Sequence, residues 1–167
     1  MRLRLLLLGI AVSSFAAAPA TAQQRGRGPA PASTDSAGVP AVEKVSTTHH
    51  TVTIDGKQIA YTANAGTMVI RDGDGHAKAT VFYIAYTKDG EDTAKRPVTF
   101  FFNGGPGSSS IWLDMGIMSP MHPNMGPNGS QPAPPYDLVA NPYTPLAATD
   151  LVQIDAMMTG YSRPAPG

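Results

Sequence analysis

The chain has 167 residues, and its 12 lysines and arginines balance its 12 aspartates and glutamates, so that it carries no formal net charge. No block of like charge interrupts this balance, which argues against a nucleic-acid partner and against binding to an anionic membrane surface. Cysteine is absent, so thiol catalysis, thiolate metal sites and disulfide bonds are excluded. The folded part must therefore be stabilised by an apolar core.

The first 22 residues have the three parts of a secretory signal peptide. Arg2 and Arg4 precede an apolar run over residues 5–12, and Ala20-Thr21-Ala22 has small side chains at the cleavage-site positions. A membrane anchor is the alternative, but the run is short of the roughly 20 apolar residues that a spanning helix needs. We expect cleavage after Ala22, a secreted or periplasmic protein, and no membrane contact after cleavage.

Residues 23–40 separate this signal from the first strand. They are rich in Gly, Pro, Ala and Ser, contain no aromatic residue and have almost no aliphatic one. Such a segment buries too little apolar surface to offset the entropy of ordering it. We interpret residues 23–40 as a flexible linker and residues 41–167 as the domain.

Strand patterns begin near Ser46 and continue to Thr87. Apolar and β-branched runs at residues 51–54, 58–62, 67–71 and 80–87 are divided by the turn dipeptides Asp55-Gly56 and Asp72-Gly73. Partial alternation between short turns is typical of antiparallel strands. The sequence predicts an antiparallel meander here.

The pattern then changes from a meander to a strand–helix–strand unit. Residues 98–102 are almost continuously apolar, as in a strand covered on both faces, and residues 150–155 form a second such run. Between them, Ser108-Ser109-Ser110 can cap a helix that begins at Ile111. A meander followed by a parallel βαβ unit predicts an α/β fold with an open mixed sheet and helices on both faces.

The loop Asn103-Gly104-Gly105-Pro106-Gly107 follows the first of these buried strands. Open α/β sheets bind their ligands at the carboxyl ends of such strands. Paired glycines bring bare N–H groups close to a ligand, and donors beside a helix N-terminus suit a developing negative charge. Taken alone, the same string also fits a tight turn.

A longer string identifies a family resemblance. Residues 98–113, VTFFFNGGPGSSSIWL, resemble the signature segment of the serine carboxypeptidases, the S10 peptidases. Residues 149–155 and the turn at 159–163 resemble the next strand of that family and its Gly-aromatic-Ser turn. Residues 41–97 fit the opening strands of the family only in a general way.

This resemblance implies an α/β-hydrolase fold and the release of C-terminal residues from peptides by a Ser-Asp-His triad, without metal or cofactor. It implies that Asn103, helped by the Gly104 N–H, binds the free carboxylate of a peptide substrate. It also implies that the Gly105 N–H is one of two oxyanion donors, the other following the nucleophile.

The triad itself is not expected within these residues. No G-x-S-x-G string occurs in the sequence, and hydrolases of this fold carry Ser, Asp and His in that order. We therefore expect an incomplete N-terminal part of the domain, with the triad beyond residue 167 and no hydrolysis by these residues alone. Two alternatives stay open: an exported esterase or acyltransferase, favoured because Ile117 replaces a carboxylic acid of some relatives, and a non-catalytic secreted binding protein.

Other polar and sulfur-containing residues are interpreted structurally. His49 and His50 are neighbours and so point to opposite faces of a strand, which prevents chelation of one ion. Residues 72–75, DGDG, lack the closing Glu of a calcium loop and predict a hairpin turn. Four methionines spaced three or four apart predict core or pocket lining; they are Met115, Met118, Met121 and Met125.

Overall fold

The computed structural model of the protein describes residues 41–104 and 107–166. Within this range six strands form one mixed sheet and two short strands form a separate pair. The strands are β1 Lys44–Ile54, β2 Lys57–Arg71, β3 Ala77–Lys88, β4 Val98–Phe101, β5 Met121–Pro123, β6 Leu138–Ala140, β7 Asp150–Ile154 and β8 Arg163–Pro164. The helical segments are α1 (Ile111–Leu113), a π-helical turn at Asp114–Met118, and 3-10 turns at Pro127–Gly129 and Pro145–Ala147. The predicted signal peptide and linker lie outside the described residues.

The predicted meander is confirmed, because β1 pairs with β2, and β2 with β3, in antiparallel fashion. Asp55 and Gly56 connect β1 to β2 with positive φ angles of 49° and 73°, which suit the twist of a two-residue hairpin. The separation of residues 58–62 from 67–71 is wrong, since both lie in the single strand β2. Pairing continues through the gap because Gly66 has no side chain: a Cβ there would lie 2.5 Å from the Lys44 carbonyl oxygen.

The parallel pair of the predicted βαβ unit is also present. Strand β7 lies between β3 and β4 in the order β1-β2-β3-β7-β4, antiparallel to β3 and parallel to β4. The β4–β7 register places Phe101 opposite Gln153. The carboxyl ends of β4 and β7 therefore meet at one edge of the sheet, and the segments that follow them are neighbours.

The sheet is mixed and mostly antiparallel, as a meander followed by one parallel pair requires, but two other expectations about this part are wrong. The helices predicted for both faces are short turns among the described residues. The connection from β4 to β7 is rich in Pro and Gly, which interrupt helices. Strand β4 is not covered on both faces: Phe101 is buried, whereas Phe100 is 64% exposed, because alternate strand residues face opposite sides.

The core lies between the sheet and the 3-10 turn at Pro145–Ala147. Leu146 and Leu151 are fully buried there and pack with residues from four other strands; these are Val52, Ile54, Ile59, Tyr61, Tyr86 and Phe101. The buried Arg96 guanidinium donates to the Asp150 carboxylate at 2.9 Å and to the Leu146 carbonyl at 2.8 Å. Paired charges with further hydrogen bonds are tolerated in such an interior. No helix in the described part of the chain is long and apolar enough to cross a membrane.

Candidate functional site

The loop after β4 starts with the predicted substrate-binding residues. Asn103 is half-buried and Gly104 is exposed. The Asn103 backbone N–H donates to Ser110 Oγ at 3.0 Å, and its side-chain amide donates to Ser108 Oγ at 2.6 Å. Gly105, the predicted oxyanion donor, lies outside the described residues. Asn103 and Gly104 thus lie together at the carboxyl end of β4, where open sheets place ligands.

Ser110 connects this loop to the end of β7 by hydrogen bonds. It is completely buried, and its Oγ accepts the Asn103 N–H while donating to the Ile154 carbonyl at 2.6 Å. Ser110 does occupy the N-cap position of α1, but its side chain makes no cap hydrogen bond. Ser110 does not cap the helix because its hydroxyl is used to bridge the end of β4 to the end of β7; of the three serines predicted to cap, Ser109 accepts the Ile111 N–H at 3.4 Å.

Asp155, the residue after β7, joins the same network. Its carboxylate is buried and accepts hydrogen bonds from Ser110 N at 3.0 Å, Ser109 Oγ at 3.1 Å and Gln153 Nε2 at 3.3 Å. The other oxygen accepts the Tyr161 N–H at 3.1 Å. A carboxylate that is solvated by several donors tolerates burial, and here those donors come from the loop after β4, from β7 itself and from the turn after β7.

The turn after β7 is shaped around that carboxylate. Gly160 adopts a φ of 47°, and a Cβ at this position would overlap the Asp155 carboxylate. Ser162 Oγ donates to the Asp155 carbonyl at 2.8 Å and accepts the Phe82 N–H of β3 at 2.9 Å. The Gly-aromatic-Ser turn therefore has a packing role: it anchors Asp155, which in turn anchors the loop at Asn103.

A second buried carboxyl group lies at the start of the π-helical turn that follows the loop and α1. Asp114 is completely buried, and its Oδ2 accepts a hydrogen bond from the Tyr86 hydroxyl of β3 at 3.0 Å. Burial raises the pKa of Asp114 from 3.8 to about 6; the Tyr86 hydrogen bond opposes this rise and the nearby Asp155 charge adds to it. Burial, followed by the charge of Asp114, raises the pKa of Tyr86 well above its usual value.

Sequence reasoning missed the structural roles of Asp155, Asp114 and Tyr86. The available signal was a single acidic residue within or directly after an apolar string, as in Ile111-Trp112-Leu113-Asp114. A buried carboxyl group has to be paired or neutralised. The partners lie 28 and 45 residues away along the chain, so the residue type was visible but the contact was not.

An apolar groove lies beside α1, directly after the loop. It has a volume of about 450 Å³ and is lined by Ile111, Trp112, Met115, Gly116, His122, Pro123 and Met125. Met118 and Met121 instead pack against the core, so the prediction of core or pocket lining is confirmed for all four methionines. Ile117 is 58% exposed and offers no charge to a substrate.

The residues 72–76 form a hairpin turn, as predicted. Asp72, Asp74 and His76 have ligand-type atoms within 4.8 Å of one another. Asp72 Oδ1, however, accepts the N–H groups of Asp74 and His76, and its Oδ2 pairs with Lys78 at 3.1 Å. Both oxygens of Asp72 are therefore used to close the turn, which accounts for the cluster without an ion.

The comparisons with known proteins give one match. The family model described as serine carboxypeptidase, Peptidase S10, matches residues 57–165. This range includes β2 to β8, the loop at Asn103 and the turn at Gly160. No curated protein and no solved structure shows a significant match to the chain.

Proposed function

The chain belongs to the serine carboxypeptidase family, and we propose that it is part of an exported α/β-hydrolase that releases C-terminal residues from peptides. The proposal assigns substrate binding to Asn103 and Gly104 and one oxyanion donor to the Gly105 N–H. It assigns the nucleophile, its histidine and its aspartate to residues outside 1–167. It requires neither metal nor cofactor.

The observation that carries the proposal is the position of Asn103. The family match includes the loop, and Asn103 follows a strand that runs parallel to β7, at the end of the sheet where ligands bind. Ser110 and Ser108 hold its backbone and its side-chain amide. An amide that is held in place before the substrate arrives loses little entropy on binding.

In the proposed chemistry, one set of donors binds the C-terminal carboxylate of the substrate and another stabilises the oxyanion that forms during attack. One N–H of the Asn103 amide stays on Ser108 Oγ, the other donates to the C-terminal carboxylate, and the Gly104 N–H supports this contact. The proposal gives the Gly105 N–H the role of donor to the carbonyl oxygen that becomes negative when the nucleophile attacks. A single such donor contributes about 2.7–4 kcal/mol to transition-state stabilisation.

An esterase or acyltransferase is the second candidate. Ile117 brings no carboxylic acid to the substrate terminus, and the groove beside α1 is apolar. An uncharged acyl or ester substrate would fit these two features, and the same oxyanion loop serves any acyl transfer.

We expect the full-length protein to hydrolyse an N-blocked dipeptide with a free C-terminus about 10-fold or more faster than its C-terminal amide, measured as kcat/KM. A hydrogen bond to a charged group contributes about 1.5–3 kcal/mol, and the amide lacks that charge. Equal rates on both would contradict the carboxypeptidase assignment, and faster hydrolysis of a neutral ester would support the second candidate.

We expect Asn103→Ala to lower kcat/KM for the free-acid substrate by about 10- to 100-fold, because the charged hydrogen bond is lost. The same variant should change the rate on the amide much less. Asn124→Ala is the matched control, since Asn124 is exposed. A parallel fall on both substrates would show that Asn103 acts on the fold of the loop and not on the carboxylate.

A further inference from the structure

The π-helical turn at Asp114–Met118 begins with a buried carboxyl group that is only half satisfied. Asp114 Oδ2 is hydrogen-bonded to the Tyr86 hydroxyl at 3.0 Å, whereas Oδ1 has no hydrogen-bond partner among the described residues. An ionised carboxylate without sufficient donors is strongly disfavoured in an interior. Protonation removes that charge and turns one oxygen into a donor.

The titratable groups around Asp114 give it no positive charge. Tyr86 contacts it from β3, with the edge-packed ring of Tyr61 of β2 behind, and Asp155 acts on it from the end of β7. Strand β5, which packs against the π-helical turn, carries His122, whose ring nitrogen lies 2.9 Å from the Pro123 carbonyl oxygen. Within residues 41–104 and 107–166, no Lys, Arg or His forms an ion pair with Asp114.

The backbone of Asp114 connects this carboxyl group to the loop. Its N–H donates to the Ser110 carbonyl at 2.9 Å, and its own carbonyl accepts the Ser119 N–H at 2.8 Å. Ser110 also holds the Asn103 N–H through its hydroxyl. A displacement of Asp114 towards solvent therefore disturbs the hydrogen bond to Ser110, whose hydroxyl binds the Asn103 N–H.

We propose that Asp114 is a positioning residue that holds the loop at Asn103 in place while its carboxyl group is protonated, and that its ionisation loosens the loop. As a neutral acid, Asp114 donates to the Tyr86 hydroxyl, whose own proton turns away from the carboxyl group. Ionisation moves the proton to water, leaves Oδ1 charged without a donor, and favours conformations in which Asp114 reaches solvent. The effect of this on activity rests on the proposed function, whereas the effect on loop order does not.

The direction of the pH dependence of loop order follows from the pKa of Asp114 in the folded state and its ordinary value. The folded pKa of about 6 lies above the ordinary value of 3.8, so the folded state binds more protons than the open state between these limits. The stabilisation of the loop by the neutral carboxyl group of Asp114 is therefore fully present below a pH of 3.8 and is lost as the pH rises through about 6. A difference of two pKa units corresponds to a factor of about 100 in the opening equilibrium.

Amide hydrogen exchange of the full-length protein tests the proposal, read on peptides from residues 108–118 and corrected for the chemical exchange rate. We expect protection to fall by about 10-fold between pH 5 and pH 8 and to level off above a pH of about 6, because the rest of the 100-fold change lies between the ordinary pKa of 3.8 and pH 5. Asp114→Asn, which is neutral at every pH, should show no such fall. Tyr86→Phe removes the hydrogen bond that lowers the pKa of Asp114, so its protection should level off at a higher pH.

The results of this exchange experiment test the role of Asp114 separately from the proposed peptidase function. Asp137→Asn, at an exposed position, is the control and should level off at the wild-type pH. Unchanged protection from pH 5 to 8, or the same fall in Asp114→Asn as in the wild type, overturns the role of Asp114 whether or not peptides are cleaved. If Asp114→Asn does not fold, levelling off of Tyr86→Phe at the wild-type pH overturns it. An absence of peptidase activity with the expected exchange pattern contradicts only the proposed function.

Discussion

Replacing Asp155 with alanine is expected to lower the free energy of unfolding by about 3 kcal/mol. The change removes an acceptor shared by Ser110 N, Ser109 Oγ and Gln153 Nε2 on one oxygen and by Tyr161 N on the other. A buried donor left without a partner costs about 1–3 kcal/mol, and Ser110 is completely buried. Urea unfolding of the full-length protein, followed by circular dichroism, measures the difference.

Two variants separate the buried network from a general effect of losing an acid. Asp137→Ala removes an exposed carboxylate and should stay within about 0.5 kcal/mol of the wild type. Asp155→Asn keeps one acceptor oxygen but places an amide donor opposite another donor, so its cost should fall between those of the two alanine variants. A cost below about 1 kcal/mol for Asp155→Ala would contradict the anchoring role of the carboxylate.

The meander and the parallel pair could be predicted from the sequence because both depend on local signals. The Asp55-Gly56 turn and the alternation around it define β1 and β2, and two largely apolar runs define β4 and β7. The continuity of β2 could not be predicted, since it depends on how closely Lys44 approaches Gly66. That approach is a property of the paired strands and not of either segment.

The exposure of β4 shows a second limit of sequence patterns. Continuous apolar character at residues 98–102 indicates a strand covered on both faces, yet Phe100 and Phe102 are each 64% exposed. The pattern reports which surfaces are suited to burial, whereas burial itself requires an element that covers them. In the described part of the chain, only the face that carries Phe101 is covered.

For the candidate site too, the sequence could indicate some residues but not the contacts between them. Asn103, Gly104 and Gly105 could be proposed only from a resemblance, because five residues rich in glycine are compatible with any tight turn; their roles stay predictions. The support beneath Asn103 depends on Ser110, Asp114 and Asp155, which the structure brings together from segments up to 45 residues apart. One sequence identifies such residues as unusual in an apolar string but not as partners.

Replacing Gly160 with alanine is expected to lower the free energy of unfolding by about 4 kcal/mol, the largest effect of the substitutions considered. Two costs add. A left-handed φ of 47° costs a residue with a Cβ about 1–2 kcal/mol, and the new methyl group overlaps the Asp155 carboxylate, so that the hydrogen bonds of that carboxylate are lost as well. Gly90→Ala is the control for the first cost, because Gly90 has a φ of 79° with no atom near its missing Cβ.

The double variant Asp155→Ala/Gly160→Ala distinguishes the two costs, since residues in contact show non-additive effects. Once the carboxylate is gone, the methyl group introduced by Gly160→Ala no longer meets an obstacle, and only the backbone strain remains. Gly160→Ala should therefore cost about 1–2 kcal/mol in the Asp155→Ala background, similar to Gly90→Ala. Full additivity in urea unfolding would mean that Gly160 acts independently of Asp155, and that the Gly-aromatic-Ser turn does not hold the carboxylate under the loop at Asn103.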